Sequence, residues 1–147
     1  MIEVGKFLIA NVEEDAPPTD RILLRLHPSF AYGFGWEIPT QNILLHLQAE
    51  DLDGKRVLDV GTGTGILAIA AAKLGAKVTA TDIREDVLIE AVRNFTTNDV
   101  YVELVADPEL TGYDLVVCNI GDEWLERLRS VGCRFLATNS EGQVFND

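Results

Sequence analysis

V-L-D-V-G-T-G-T-G, residues Val57 to Gly65, is the stretch whose reading decides the fold of this chain. Val57, Leu58 and Val60 suit a buried parallel strand, and Gly61, Gly63 and Gly65 permit a tight turn where backbone comes close to a ligand. The run Ile66 to Leu74, rich in Ala and Leu, then predicts a helix closed by Gly75. Asp82 closes a second predicted strand, Lys77 to Thr81. It stands about twenty residues beyond the glycines, where a nucleotide-binding βαβ unit carries its ribose-binding carboxylate. Glycines alone mark only a turn, but the loop, Asp59, the helix and Asp82 in this order mark a nucleoside site.

The spacing separates cofactors. Dinucleotide loops read G-x-G-x-x-G/A, whereas this chain has Ile66 at the last small position and its third glycine one place earlier, which disfavours NAD. A G-x-x-x-x-G-K-[ST] phosphate loop is absent.

Outward from the loop, the chain reads as one domain over its 147 residues, with residues 1–30 as a strand and loop extension. No apolar run approaches the length of a membrane span, and Glu3, Glu13, Glu14 and Asp15 are unlike a secretory signal, so a cytoplasmic protein with no membrane partner is expected. Cys118 and Cys133 sit in apolar runs and read as buried thiols of a reducing compartment, and no metal-ligand spacing is present. A formal net charge of -12 repels nucleic acid and suits basic or neutral partners, although a solvated acidic surface explains it more simply.

In chain order, Val4 to Val12 and Ile22 to Leu26 predict two strands joined by a polar, proline-bearing loop. His27 to Thr40 is too rich in Gly and Pro for regular structure. Its Phe30, Tyr32, Phe34 and Trp36 suit either a lid over a flat ligand or a loop pinned to the core. Thr40 predicts the cap of a helix with Ile43, Leu44 and Leu47 inward, ending near Asp53-Gly54; His46 on it reads as a surface or packed residue. Arg84 to Phe95 predicts a crossover helix, and Val100 to Ala106 and Tyr113 to Cys118 further strands. Asp122 to Ser130 predicts a helix with Trp124, Leu125 and Leu128 inward, and Cys133 to Thr138 a fifth strand of the main sheet. Alternating strands and helices imply a parallel sheet with right-handed crossovers. Asp59, Asp82, Asp107 and Asn119 then fall at the ends of successive strands and converge on one crevice.

With these residues assembled, the chain resembles the class I S-adenosylmethionine-dependent methyltransferases, and most closely the bacterial ribosomal-protein methyltransferase (PrmA) family. The resemblance runs through L-L-R-L-H-P-S-F-A-Y-G-F-G, I-P-T-Q, the glycine loop and its helix, T-D-I, and D-L-V-V-C-N-I. It implies an α/β fold, a Rossmann-like methyltransferase sheet in three α/β/α layers, here truncated after the fifth strand. It further implies that Asp59, Gly61, Thr62, Gly63 and Gly65 hold the methionine part of S-adenosyl-L-methionine. Asp82 would take the ribose hydroxyls, Ile83 would pack on adenine and Asp107 would face its amine. Thr40 or Gln41 would lie near the methionine end, and Asn119 would position the group being methylated.

The function implied is methyl transfer to a nucleophile, nitrogen first, on a protein or small molecule. The alternative is a cofactor-binding subunit or regulator without activity of its own. Transfer from a sulfonium needs in-line placement of a neutral nucleophile in a water-poor crevice and no obligatory base, so Asn119 is the nominated catalytic residue and Glu37 a secondary proton acceptor. Three departures stand beside the resemblance. The family's N-terminal recognition domain has no counterpart, its H-P-T-T run is replaced by Glu37-Ile38-Pro39-Thr40-Gln41, and only Asn139 to Asp147 follow the fifth strand. That strand is therefore expected at an open edge, covered by the N-terminal strands, a second copy in a homodimer, or another polypeptide.

Overall fold

The structure, a computed structural model, describes residues 1–146. Its frame is a six-stranded sheet in the order β6-β5-β4-β7-β8-β9. The strands are β4 (Arg56–Val60), β5 (Lys77–Thr81), β6 (Val102–Leu104), β7 (Leu115–Cys118), β8 (Phe135–Thr138) and β9 (Val144–Phe145). All neighbours run parallel except β9, which turns back antiparallel onto β8. The order reverses between β4 and β7, which places a crevice at the carboxyl ends of those central strands.

Alternation along the strands divides the core into two halves. Val57, Val78, Ala80, Leu115, Val117 and Leu136 pack toward α1 (Ile38–Gln48), α2 (Ile66–Lys73) and α3 (Glu85–Thr97). Leu58, Val60, Val116, Cys118, Phe135 and Ala137 face α4 (Asp122–Val131) through Leu125 and Leu128. Helix α2 has no polar stripe because it is buried from Ile66 to Ala71, sandwiched between the sheet and the amino-terminal strands, and its alanines let backbone approach on every side. Helix α4 is amphipathic, with Asp122 and Glu123 in its first turn where the helix dipole favours acids.

A second, three-stranded sheet is made by β1 (Ile2–Val4), β2 (Phe7–Asn11) and β3 (Ile22–Leu26). The single strand expected over Val4 to Val12 is instead a hairpin, because Gly5 adopts a φ of 54° and turns the chain between β1 and β2. The free edge of β3 meets α3. Asn98 accepts from Arg25 N–H at 2.8 Å and donates to Arg25 C=O at 2.6 Å, and Asn94 accepts from His27 N–H at 2.9 Å. Two asparagine side chains thus satisfy backbone groups that a further strand would otherwise have paired.

Other boundaries shift for local reasons. Helix α1 begins at Ile38 with Pro39 in its first turn and Glu37 at the cap position, so Thr40 lies inside the helix and is wholly buried. The helix stops at Gln48, short of Asp53. Strand β6 keeps three residues because only β5 pairs with it. At the outer edge expected on the fifth strand, the chain that follows pairs with the last two residues: Asn139 N–H donates to Gln143 C=O at 3.0 Å, and the turn lays Phe145 and Val144 against Ala137 and Thr138. The amino-terminal strands form their own sheet and do not cover that edge. Cys118 and Cys133 are free thiols, the former buried and the latter half-buried ahead of β8. Among the described residues no helix is long and apolar enough to cross a membrane, and no cluster of potential metal ligands occurs.

Candidate functional site

A cleft of about 690 Å³ opens at the carboxyl ends of the parallel strands. Its floor is the turn after β4. Gly61 and Thr62 N–H donate to Thr81 C=O at 2.9 and 3.0 Å, which fastens the turn to the end of β5. Asp59 points inward at 2% exposure, and its carboxylate accepts from the Thr62 hydroxyl at 2.8 Å. Burial pushes the Asp59 carboxyl up to about 7, against the lowering effect of its bonds from Thr62 and the Ala68 backbone, and the charge of Asp82 adds to the rise. Asp59, Thr62 and Gly65 therefore shape the turn from beneath, while Gly61 and Gly63 line the cleft itself.

Gly63 sits at the tightest point. Its φ is +58°, and a β-carbon there would lie 2.3 Å from the Tyr32 carbonyl oxygen. That carbonyl belongs to the aromatic segment before α1, which lies against the glycine turn: Thr64 N–H donates to Tyr32 C=O at 2.9 Å, and the Thr64 hydroxyl donates to Gly33 C=O. The segment is thus pinned, with its aromatic side chains dividing into two pairs. Phe34 and Trp36 stack on each other at 5.1 Å, while Phe30 and Tyr32 are exposed on the cleft wall.

Two nominated residues do a different job from the one expected. The Glu37 carboxylate accepts from the N–H groups of Gly33, Phe34 and Gly35 at 2.9 to 3.3 Å, so it clamps the segment. Gln41 donates its amide to Gly35 C=O at 2.6 Å and serves the same clamp. Neither lines the cleft.

The remaining residues converge on the cleft. Asp82 accepts from Gly63 N–H at 3.1 Å and from Arg84 N–H at 3.0 Å, leaving carboxylate lone pairs for a ligand. Ile83, beside it, is 97% exposed, an apolar surface with nothing packed on it. Asp107 follows the end of β6, next to Pro108 and Leu110. Asn119 directly follows β7, with its carboxamide held by Thr40 and Thr138. Thr40 reaches the site only through Asn119. The sequence reading missed Thr138, which obeys the same strand-end rule that found Asn119. Trp124, read as inward on α4, does pack on the core, and it also lines the cleft with the Arg127 guanidinium 4.4 Å over its ring, which the sequence reading did not foresee.

The donor set fits S-adenosylmethionine. A carboxylate stands one strand from a glycine turn with room for close backbone approach, and apolar surface from Ile83, Val87, Pro108 and Leu110 suits a flat base.

Comparison with known proteins agrees. The family described as ribosomal protein L11 methyltransferase (PrmA) matches residues 2–143. The ribosomal protein L11 methyltransferase of Chlorobaculum parvum is 38% identical over 140 residues, 86% of this chain and 48% of that protein. That of Geobacter sulfurreducens is 42% identical over 133 residues, 85% and 44% of the two chains. The chain spans about half the length of the curated relatives it matches. Among solved structures, the ribosomal protein L11 methylase of Lactobacillus delbrueckii subsp. bulgaricus superposes with a TM-score of 0.73 at 34% identity, covering 87% of this chain and 73% of that one. An RNA methyltransferase of Salinibacter ruber, solved with S-adenosyl-L-homocysteine, shares the fold at a TM-score of 0.58 and 18% identity. Sheet order, glycine turn and strand-end residues are thus found together with a match over nearly the whole sequence: the chain belongs to the ribosomal protein L11 methyltransferase (PrmA) family.

Proposed function

We propose that this chain binds S-adenosylmethionine in the cleft and transfers its methyl group to an amine nitrogen of a protein acceptor, ribosomal protein L11 or a protein like it, in the cytoplasm. The observation that carries the reading is the convergence of Gly61, Gly63, Asp82, Ile83, Asp107 and Asn119 on one cleft. When bound, S-adenosylmethionine supplies an electrophilic methyl on a sulfonium. Asp82 holds the ribose hydroxyls, Ile83 covers adenine, Asp107 faces its amine, and the backbone at Gly61 and Gly63 receives the methionine end. Asp59 and Thr62 support that backbone from beneath. Asn119 orients the acceptor nitrogen, and Phe30, Tyr32 and Ile120 at the mouth exclude water and receive the acceptor's apolar part. Because an amine that arrives neutral needs no base, the engagement of Glu37 in its clamp does not disable the reaction. The net charge of -12 suits a lysine-bearing acceptor.

The experiment pairs transfer with affinity. Labelled methyl should pass from S-adenosylmethionine to bacterial ribosomal protein L11, and Asn119→Ala should lower that transfer by about tenfold or more while calorimetry finds S-adenosylhomocysteine bound within about twofold of wild type. Binding without transfer to any acceptor would make the chain a cofactor-binding module; no binding would end both readings.

A further inference from the structure

Asn119 and Thr138 lie side by side at the ends of their strands, because the residues just before them, Cys118 and Ala137, are in register between β7 and β8. Thr138 is 2% exposed yet contributes to the cleft wall, and its hydroxyl donates to Asn119 Oδ1 at 2.8 Å. From the other side Asn119 Nδ2 donates at 3.1 Å to the hydroxyl of Thr40, which is wholly buried in the first turn of α1. The element that carries each threonine is held in turn. Thr138 is in register with Val144 of β9, and α1 is tied to the turn before β9 by Asn42 Nδ2, which donates to Gly142 C=O at 3.1 Å.

A carboxamide offers two lone pairs and two N–H groups. The threonines take one of each, so the half-buried Asn119 keeps one lone pair and one N–H for the cleft. Either hydroxyl can donate or accept, so what the pair fixes is the plane and position of the amide. That plane matters to methyl transfer. An amine nitrogen must aim its lone pair along the breaking S–C bond, which requires that its N–H be held from a set direction. Its lone pair forms the N–C bond as the S–C pair returns to sulfur, and the methylated ammonium gives its proton to water.

We propose that Thr138, with Thr40, is a positioning residue for Asn119: the two hydroxyls hold the carboxamide in the one plane from which its free lone pair aligns the acceptor amine. The proposal rests on the methyl-transfer reading. Neither threonine touches the reacting atoms in this scheme, so they act on the rate of transfer and not on cofactor affinity.

The test uses Thr138→Val, which keeps the shape and removes the hydroxyl, and Thr138→Ser, which keeps the hydroxyl. With labelled S-adenosylmethionine and bacterial ribosomal protein L11, Thr138→Val should lower kcat by about 10- to 100-fold, the cost of misplacing a reacting group by about 1 Å. KM and the affinity for S-adenosylhomocysteine should stay within about twofold, and Thr138→Ser should recover most of the rate. A kcat for Thr138→Val within about twofold of wild type, or a loss that Thr138→Ser shares, overturns the proposal. A second readout needs no turnover. Hydrogen exchange of the Asn119 side-chain amide, followed by nitrogen-15 NMR, should speed up in Thr138→Val and not in Thr138→Ser. Unchanged exchange refutes the clamp even if wild type transfers no methyl, a failure that would count against the methyl-transfer reading alone.

Discussion

Replacing Gly63 by alanine tests the seam between the glycine turn and the aromatic segment, and the structure supplies its own control. Gly54 has a φ of +70° with nothing within 4 Å of the position a β-carbon would take, so Gly54→Ala measures the left-handed backbone alone, about 1–2 kcal/mol. Gly63 has a similar φ, +58°, but its new β-carbon would lie 2.3 Å from a main-chain oxygen that no rotamer change can move. Relief requires the Tyr32 carbonyl to retreat by roughly 1 Å to reach ordinary contact. That carbonyl accepts from Thr64 N–H at 2.9 Å, so retreat leaves a buried donor short of its partner, a further cost of about 1–3 kcal/mol. Gly63→Ala should therefore lose about 2–5 kcal/mol in all, and its thermal midpoint should fall several degrees below that of Gly54→Ala, at about 2–4 °C per kcal/mol for a chain of this size. Urea titration and a temperature scan, each followed by far-ultraviolet circular dichroism, give the two numbers. Equal stability of the two variants, to within about 0.5 kcal/mol, would refute the claim that the turn and the aromatic segment are packed backbone to backbone.

Two further outcomes follow from the same site. Asp82→Ala should weaken S-adenosylhomocysteine binding by about 1.5–3 kcal/mol, the range for hydrogen bonds to a charged group, read by calorimetry; unchanged affinity would mean that the sugar is held elsewhere. Asp59 carries a pH signature: its carboxyl is raised from 3.8 to about 7 by burial, so the folded chain holds this proton more tightly than the unfolded one. The stability of wild type relative to Asp59→Asn should therefore fall as pH rises from about 4 to about 7 and level off above, and a flat difference across that window would show a carboxylate already ionised in the fold.

The parallel strands and their crossover helices were legible because valine-rich runs and helical spacing report burial directly, as at Val57–Val60 and in α3. The crevice was legible too, since topology alone brings Asp82, Asp107 and Asn119 to strand ends. What sequence could not carry was the direction of a polar side chain in a loop. Glu37 beside aromatics reads as a free acid until the N–H groups of Gly33, Phe34 and Gly35 are seen to converge on it. The hairpin at Gly5 was hidden because an apolar run gives no sign of a turn when a single glycine supplies it. Strand β9 was hidden for another reason: two residues are too few to show a period.

The asparagines of α3 have a consequence for how the chain comes apart. Asn94 accepts from the main chain at His27 and donates at 2.8 Å to Thr64 C=O, so one amide bridges the small sheet and the turn beneath the cleft. Unfolding that exposes either partner strips the other of a hydrogen bond it cannot replace in a dry interior. The small sheet is thereby braced like a keyed joint, and heating should melt both sheets in a single cooperative step.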